Sequence, residues 1–217
     1  MAVTQEVNIK CQHCEKIFND KVYIEVEVNT DKIIANGVVN GDIYKHQCPY
    51  CKENTIFLNP ITYRDNKKNF IVQSGTDEEL KEAKKKFKEE VKYDGFKLYG
   101  ARTNTEMIER IHELEFGYQP KFCELYKYYV GWAYEKKRLA DPKLNYLNTV
   151  FIDIDVKGDL VIVLETIKNG GEADYITYPF DPLMYEKYLG QYFNQMKNID
   201  DFVFDLFDVK KIVNFEE

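Results

Sequence analysis

The chain has 217 residues and a mass of 25.7 kDa, and 44% of its side chains are hydrophobic and 31% charged, which excludes disordered, collagen-like and coiled-coil proteins. No apolar run approaches the ~20 residues of a membrane helix, and the first residues lack the basic start and apolar stretch of a signal peptide. We therefore expect a cytoplasmic protein without a membrane segment. The net charge of −7 arises after Asn145, where 14 acidic residues outnumber 6 basic ones, so contact of this third with a nucleic-acid backbone is disfavoured.

Four of the five cysteines form two pairs with the same spacing, Cys11 with Cys14 and Cys48 with Cys51. Two residues between thiols allow a tight turn to direct both sulfurs to one point, and two such turns supply the four soft ligands that Zn²⁺ binds tetrahedrally. Four protein ligands leave no position for a water molecule. The spacing therefore predicts a structural Zn²⁺ site rather than a catalytic one.

Other roles for these cysteines remain open. Disulfides are disfavoured in a cytoplasmic chain, and a thioredoxin-type redox pair needs a helix directly after the CxxC motif, whereas residues 52–58 indicate a turn and a strand. His13 and His46 lie beside the pairs, and either could replace a cysteine as a metal ligand. Cys123 is isolated in a helical stretch and is interpreted as a small buried apolar residue.

The segment between and after the cysteine pairs has the pattern of β-strands. Residues 21–28 alternate with period two, and Asn36-Gly37 and Asn40-Gly41 are turn signals. Short apolar runs then continue to about residue 73. Together these features predict a small antiparallel sheet whose loops carry the metal site, and such a sheet buries too little apolar area to be stable without the metal. We therefore predict a β-rich zinc-ribbon domain over residues 1–75.

A second, α+β domain is predicted over residues 76–217. Thr76 or Asp77 is the candidate N-cap of a helix that reaches about Tyr93, and its lysine run at 84–88 is interpreted as a solvated face because acidic residues surround it. Helical periodicity predicts three further helices, at 104–116, 120–137 and 182–196. Residues 96–100 are a candidate short strand.

Period-two alternation returns in the last third of the chain. It predicts a hairpin of strands 149–156 and 160–167, a third strand at 175–178, and a final strand or strand-helix segment at 201–215. The fold class predicted for the whole chain is therefore α+β, with an N-terminal β-rich zinc ribbon followed by a mixed helix and antiparallel-sheet region.

The best enzymatic candidate is a carboxylate group in this hairpin, Asp153 and Asp155 on one strand and Glu165 on the next. Residues two apart on a strand face the same side, so the aspartates could hold Mg²⁺ for phosphodiesterase or nuclease chemistry. We prefer the alternative interpretation, that they form the solvent-facing side of an antiparallel sheet. His112 is expected at the helix surface rather than in a catalytic role.

Several segments together resemble a known family. They are the two cysteine pairs, residues 59–65, the helix segment 102–111, and the Glu124-Leu-Tyr-Lys127 pattern. In these segments the chain resembles the CpXC domain family over residues 8–135. It departs from the family pattern at two positions: Gln12 stands where the first cysteine pair would have proline, and Lys52 stands where glycine often follows a CxxC turn. The resemblance implies a bacterial or archaeal metal-binding domain and brings no catalytic residues with it.

Two functions from different classes follow. The preferred one is a zinc-binding interaction or scaffold module that presents a surface to a protein partner, and the alternative is a divalent-metal-dependent phosphodiesterase or nuclease that uses the C-terminal carboxylates. Nucleic-acid binding by the ribbon, which is less favoured, requires basic and aromatic side chains to share one face. These side chains are Lys32, Lys45, Lys52, Arg64, Lys67 and Lys68, with Tyr50 and Tyr63.

Overall fold

The computed structural model describes residues 2–141, 143–168, 170–200 and 202–213. The chain forms two compact units, Met1–Ile111 and His112–Glu217. Helices and sheets occur in both units, which confirms the α+β class. In the described part of the chain, no helix combines the length and the apolar character that are needed to span a lipid bilayer.

The first unit contains seven described strands, which are β1 (Val3–Lys10), β2 (Ile17–Glu27), β3 (Lys45–Gln47), β4 (Asn54–Ile56), β5 (Thr62–Asp65), β6 (Phe70–Ser74) and β7 (Lys97–Ala101). Five of them form a sheet in the order β1-β2-β5-β6-β7, and a separate two-stranded sheet pairs β3 with β4. Pairing is parallel between β2 and β5 and between β6 and β7, so the large sheet is mixed, whereas an antiparallel sheet was predicted. Both parallel pairs are joined by connections that contain a helix.

Three helices begin in this unit, namely α1 (Lys32–Val39), α2 (Asp77–Glu89) and α3 (Asn104–Glu115). The predicted N-cap of α2 is confirmed, because the Thr76 hydroxyl accepts a hydrogen bond from the Glu79 N–H and the Glu79 carboxylate accepts one from the Thr76 N–H. The large sheet continues through β7, beyond the domain boundary that the sequence suggested at residues 75/76. The division of the chain into one domain over residues 1–75 and another over residues 76–217 stays a prediction.

The turn predicted at Asn36-Gly37 is wrong, because both residues lie inside α1. The second turn signal is confirmed, since α1 ends at Val39, Asn40 is its C-cap, and Gly41 follows with a left-handed φ of 75°. Gly37 is needed for packing rather than for a turn. A Cβ atom at this position would lie 2.7 Å from Cγ2 of Ile43, which closes over the helix.

The described elements of the second unit are α4 (Pro120–Ala140), β8 (Tyr146–Ile154), β9 (Leu160–Ile167), β10 (Ala173–Pro179), α5 (Pro182–Met196) and α6 (Leu206–Ile212). The strands form an antiparallel sheet in the order β10-β9-β8, as predicted from the alternating pattern. One apolar core joins the helices to the sheet, and its buried members include Phe122, Leu125 and Ile162. Cys123 is also fully buried there, in agreement with its interpretation as a core residue.

The final segment predicted at 201–215 contains α6. Residues 201 and 214–217 of that segment lie outside the described residues.

We expect Gly37→Ala to destabilise the first unit by ~1–3 kcal/mol, because the new methyl group overlaps the β-branched, stiff side chain of Ile43. In an Ile43→Ala background, the same change should instead stabilise by up to ~1 kcal/mol, since alanine is the better helix former. Urea denaturation of the two single variants and the double variant measures this coupling. Additive effects of the two substitutions would contradict the packing role of Gly37.

Candidate metal centre

The two cysteine pairs lie in the turns of two hairpins, β1-β2 and β3-β4, and the turns have the same backbone geometry. In each, the first cysteine donates to a residue five positions later and accepts from a residue four positions later. The residue after each second cysteine is left-handed, with φ of 59° at Glu15 and 65° at Lys52. The bonds are Cys11 N–H to Lys16 O (2.9 Å), Glu15 N–H to Cys11 O (3.0 Å), Cys48 N–H to Glu53 O (2.9 Å) and Lys52 N–H to Cys48 O (2.9 Å).

The four sulfur atoms converge at one place. The Sγ atoms of Cys11 and Cys51 are 3.6 Å apart, those of Cys14 and Cys48 are 3.7 Å apart, and all four lie within 4.8 Å of one another. A disulfide would require ~2.05 Å, whereas four sulfurs at ~2.3 Å from a central ion are separated by about 3.8 Å. The arrangement is that of a four-cysteine group that could hold a metal ion.

The second hairpin also holds the turn of the first through hydrogen bonds. The Gln12 N–H donates to Thr55 Oγ1 at 3.0 Å, and the Gln12 side-chain amide donates to the Ile56 carbonyl at 3.2 Å. A proline at position 12 has no N–H and could not make the first bond. The departure from the proline signature at this turn therefore has a structural role.

Neither neighbouring histidine is part of the sulfur cluster. His13 is exposed, and its Nε2 donates to the Asn54 carbonyl at 3.1 Å. His46 is only 5% exposed, and its Nδ1 lies 2.9 Å from Oδ2 of Asp20. Both side chains thus connect the hairpins around the cluster, and sequence reasoning missed the Asp20–His46 pair because the two residues lie 26 positions apart.

The thiols differ in acidity. Burial opposes ionisation of Cys48, but the N–H groups of Cys51 and Tyr50 donate to its sulfur, and the net effect lowers the pKa of Cys48 to about 6. At Cys51, the Glu53 N–H favours the thiolate, but burial and the three neighbouring sulfurs outweigh it and raise the pKa to about 12. The first charge in the cluster thus hinders ionisation of the remaining thiols, and a bound cation would remove that repulsion.

The structure does not bring the three candidate carboxylates together. Asp155 lies beyond the end of β8, where its Oδ1 accepts from two turn N–H groups, and these bonds lower its pKa. Glu165 is opposite Thr149 and accepts from Asn148 Nδ2 at 2.8 Å. Asp153 lies further along β8, opposite Val161. In the described ranges, only the four cysteines form a group that could hold a metal ion, so the Mg²⁺ site has no support.

His112 was expected at the surface, and this expectation is wrong. The side chain is 4% exposed, and its Nδ1 lies 3.4 Å from Oδ1 of Asp153. Burial lowers the pKa of His112, whereas the Asp153 carboxylate opposes this by favouring the charged imidazole. Asp153 is therefore the charged neighbour of a buried histidine.

The basic and aromatic array proposed for nucleic-acid binding is incomplete on the folded surface. Tyr63 is only 2% exposed and stacks on Phe70 within the core. Arg64 is mostly buried and forms an ion pair with Glu25 at 3.6 Å. These two side chains are therefore not available to stack on bases or to contact a phosphate backbone.

The Glu124-Leu-Tyr-Lys127 pattern is a buried ion pair. Nζ of Lys127 donates to Oε1 of Glu124 at 2.8 Å, and both side chains are more than nine-tenths buried. Sequence reasoning recognised the pattern without a role for it. Because each charge is desolvated, loss of one partner from such a pair typically lowers the free energy of unfolding by about 3–5 kcal/mol. The pattern therefore contributes to the stability of the second unit.

We expect Lys52→Gly to raise the free energy of unfolding by about 0.5–1 kcal/mol, because a left-handed L-residue costs ~1–2 kcal/mol and the greater freedom of unfolded glycine offsets only part of this. Urea denaturation of the metal-loaded protein measures the change. The matched control is Lys45→Gly at a φ of −92°, which should destabilise. A loss of stability in Lys52→Gly would show that the lysine side chain itself is required.

We expect the free energy of unfolding to fall as the pH drops below about 6.5, because unfolded His112 then binds protons that the buried imidazole does not. The limiting slope for one such group is about 1.4 kcal/mol per pH unit. His112→Gln should remove this contribution, and Asp153→Asn should extend it to lower pH. Urea denaturation between pH 5 and 8 tests this, and equal pH slopes for wild type and His112→Gln would exclude it.

A comparison with protein families gives a match that covers both cysteine pairs. The family model described as CpXC protein matches residues 9–127, more than half of the chain, including both cysteine pairs and the buried Glu124–Lys127 pattern. No curated protein and no solved structure matches the chain. On the strength of the family match, the chain belongs to the CpXC family.

Proposed function

We propose that the chain is a protein-interaction module in which Cys11, Cys14, Cys48 and Cys51 bind a structural Zn²⁺ ion. The observation that carries the proposal is the convergence of four thiols from two hairpins, with Sγ–Sγ distances of 3.6 and 3.7 Å. These values are close to the sulfur–sulfur separation of about 3.8 Å that is expected when four thiolates bind one Zn²⁺ ion tetrahedrally. Four soft ligands favour zinc over Mg²⁺ or Ca²⁺, which prefer oxygen.

The proposed role of the ion is to stabilise the fold. Four protein thiols occupy every position of a tetrahedral ion and leave none for a substrate or an activated water molecule. The core beneath the site is small, since its buried members besides Cys11 and Cys48 are Ile9, Phe18 and Val22. An ion that joins both hairpins would add the free energy that this core lacks. Reduced thiols are also consistent with a cytoplasmic protein.

Exposed apolar side chains support the interaction role. Ile17, Tyr50, Ile56 and Leu58, which belong to the cysteine hairpins or directly follow them, are each more than half exposed. Lys16 lies over one of these side chains, with its Nζ 4.8 Å from the centre of the Tyr50 ring. Apolar and aromatic residues of this kind contribute most to protein–protein contacts.

We expect the purified protein to contain one equivalent of zinc, and Cys48→Ser to lose it and to destabilise the first unit by several kcal/mol, because metal binding is coupled to folding. Elemental analysis and thermal denaturation measure the two effects. Replacement of zinc by Co²⁺ should produce the thiolate charge-transfer and d–d absorption bands of a tetrahedral sulfur site.

The matched control is Cys123→Ala, which removes a fully buried cysteine of the second unit. It should retain one equivalent of zinc and the Co²⁺ spectrum, although the lost packing should lower stability modestly. Full stability of Cys48→Ser without bound metal would contradict the structural zinc site.

A further inference from the structure

The five-stranded sheet of the first unit has an open edge at β1. Among the described residues, β1 pairs with β2 alone, and one of its eight residues is buried. At the other end of the sheet, three of the five residues of β7 are buried. Exposed backbone groups along a strand are a template for a further strand, so β1 is an edge to which such a strand can add.

Most of this edge carries none of the features that usually block strand addition. Proline and β-bulges are common blocking features. The pairing of β1 with β2 is irregular only between Val3 and Thr4, and residues 4–10 continue in regular register without a proline. Residues 4–10 are therefore an uninterrupted template.

The hydrogen-bond pattern shows which backbone groups of β1 face the open edge. The Cys11 N–H donates to the Lys16 carbonyl at 2.9 Å, directly after the last residue of β1. Because hydrogen-bonded and non-hydrogen-bonded positions alternate along an antiparallel pair, the odd-numbered residues of β1 bond to β2. The N–H and C=O groups of Glu6, Asn8 and Lys10 therefore point away from β2.

The two faces of β1 differ in polarity. Glu6, Asn8 and Lys10 are exposed on one face, whereas Val7 and Ile9 on the other face pack against the small core beneath the cysteine turns. A strand that adds to the edge has to continue both faces. It therefore needs polar and charged partners on the first face and apolar partners on the second.

A second copy of β1 meets both needs if the two edges pair antiparallel across a two-fold axis at Asn8. In this register Glu6 lies opposite Lys10 of the other copy at both ends of the pairing, and Val7 lies opposite Ile9. The oppositely charged residues are also the ones whose backbone groups point outward. The side-chain pairs and the backbone hydrogen bonds therefore coincide in one register.

Other symmetric registers fit less well. A two-fold axis at Glu6 places two carboxylates opposite each other, which is destabilising. An axis at Val7 places Glu6 opposite Asn8 and leaves Lys10 opposite Thr4, so neither charge meets its counterpart. Charge complementarity thus selects the axis at Asn8.

The charges already present on the neighbouring strand and turn leave room for these pairs. Glu6 lies opposite Lys21 on β2, so the polar face would alternate in sign from Lys21 through Glu6 to Lys10 of the second copy. Lys10 Nζ is 3.9 Å from Oε2 of Glu15, and both side chains are mostly exposed. Solvent screens an exposed pair of this kind, which leaves Lys10 able to meet a second carboxylate.

We propose that two copies of the chain associate through β1 in this register, which joins their five-stranded sheets into one continuous sheet. The inference goes beyond the proposed function, because it concerns a second copy of this chain rather than a different protein.

Sedimentation equilibrium of the intact, metal-loaded protein over a roughly hundredfold range of concentration tests the association. We expect a monomer–dimer equilibrium. Glu6→Lys and Lys10→Glu should each weaken it at least about tenfold, because each creates like-charge pairs at both ends of the register. The control is Glu82→Lys, the same charge reversal on α2, which contacts β6 and β7. It should stay within a factor of about two of wild type.

A mixture of Glu6→Lys and Lys10→Glu tests the register. Every facing pair between these two variants has opposite charges, so the mixture should form a heterodimer that is more stable than either homodimer. The double variant Glu6→Lys/Lys10→Glu restores both pairs within a homodimer and should recover the association. Failure of both the mixture and the double variant to recover dimers would exclude this register.

Asn8→Pro tests the backbone pairing. The Asn8 N–H points outward, so proline removes a bond between copies without removing one inside the chain, and it should abolish the dimer while the thermal midpoint stays close to wild type. A dimer in Asn8→Pro, or only monomer in the wild type up to about 100 µM, would overturn the proposal. If Asn8→Pro does not fold, the mixture of the charge variants decides.

Discussion

The convergence of four sulfurs is the constraint on which the first unit depends. It joins turns whose cysteines are about 40 positions apart, and the residues between them form β2, α1 and β3. Because Cys11 and Cys48 are themselves members of the small buried cluster beneath the turns, the site and the local core are one structure. Burial and the neighbouring sulfurs raise the pKa of Cys51, so ionisation of one thiol hinders ionisation of another. A bound cation would remove that repulsion.

The two turns bring the sulfurs together without the glycine and proline residues that usually favour such turns. Glu15 and Lys52 adopt left-handed φ values where glycine would be unstrained, and Gln12 replaces a proline. Each departure has a local explanation. The strained residues keep their N–H groups bonded to Cys11 and Cys48 carbonyls, and Gln12 donates two hydrogen bonds to the opposite hairpin. The left-handed conformation costs ~1–2 kcal/mol per residue, and these hydrogen bonds offset part of that strain.

Features encoded locally could be predicted from the sequence, whereas those set by distant packing could not. The CxxC spacing, the Thr76 cap and the β8-β9 hairpin each depend on residues within a few positions. Asn36-Gly37 has strong turn propensity, yet Ala35, Gly37 and Val38 are buried in α1, so packing overrode the local signal. His112 was misplaced for the same reason, since burial of a helix face depends on what covers it.

The three candidate carboxylates lie apart partly because of a strand boundary of one residue. Asp153 and Asp155 would share a face if β8 continued, but the strand ends at Ile154, and Asp155 turns to cap the loop that follows. Strand ends are among the least reliable features of a sequence pattern. Parallel pairing was also missed, because it depends on connections that run through helices rather than on a local turn.

The two cysteine hairpins are also joined away from the sulfur cluster. β2 continues from the turn of Cys11 and Cys14, whereas His46 lies on β3, directly before the turn of Cys48 and Cys51. The Asp20–His46 hydrogen bond crosses between them. An ion held by the four cysteines would fix the same two hairpins relative to each other, so this hydrogen bond would add to the constraint that the ion imposes.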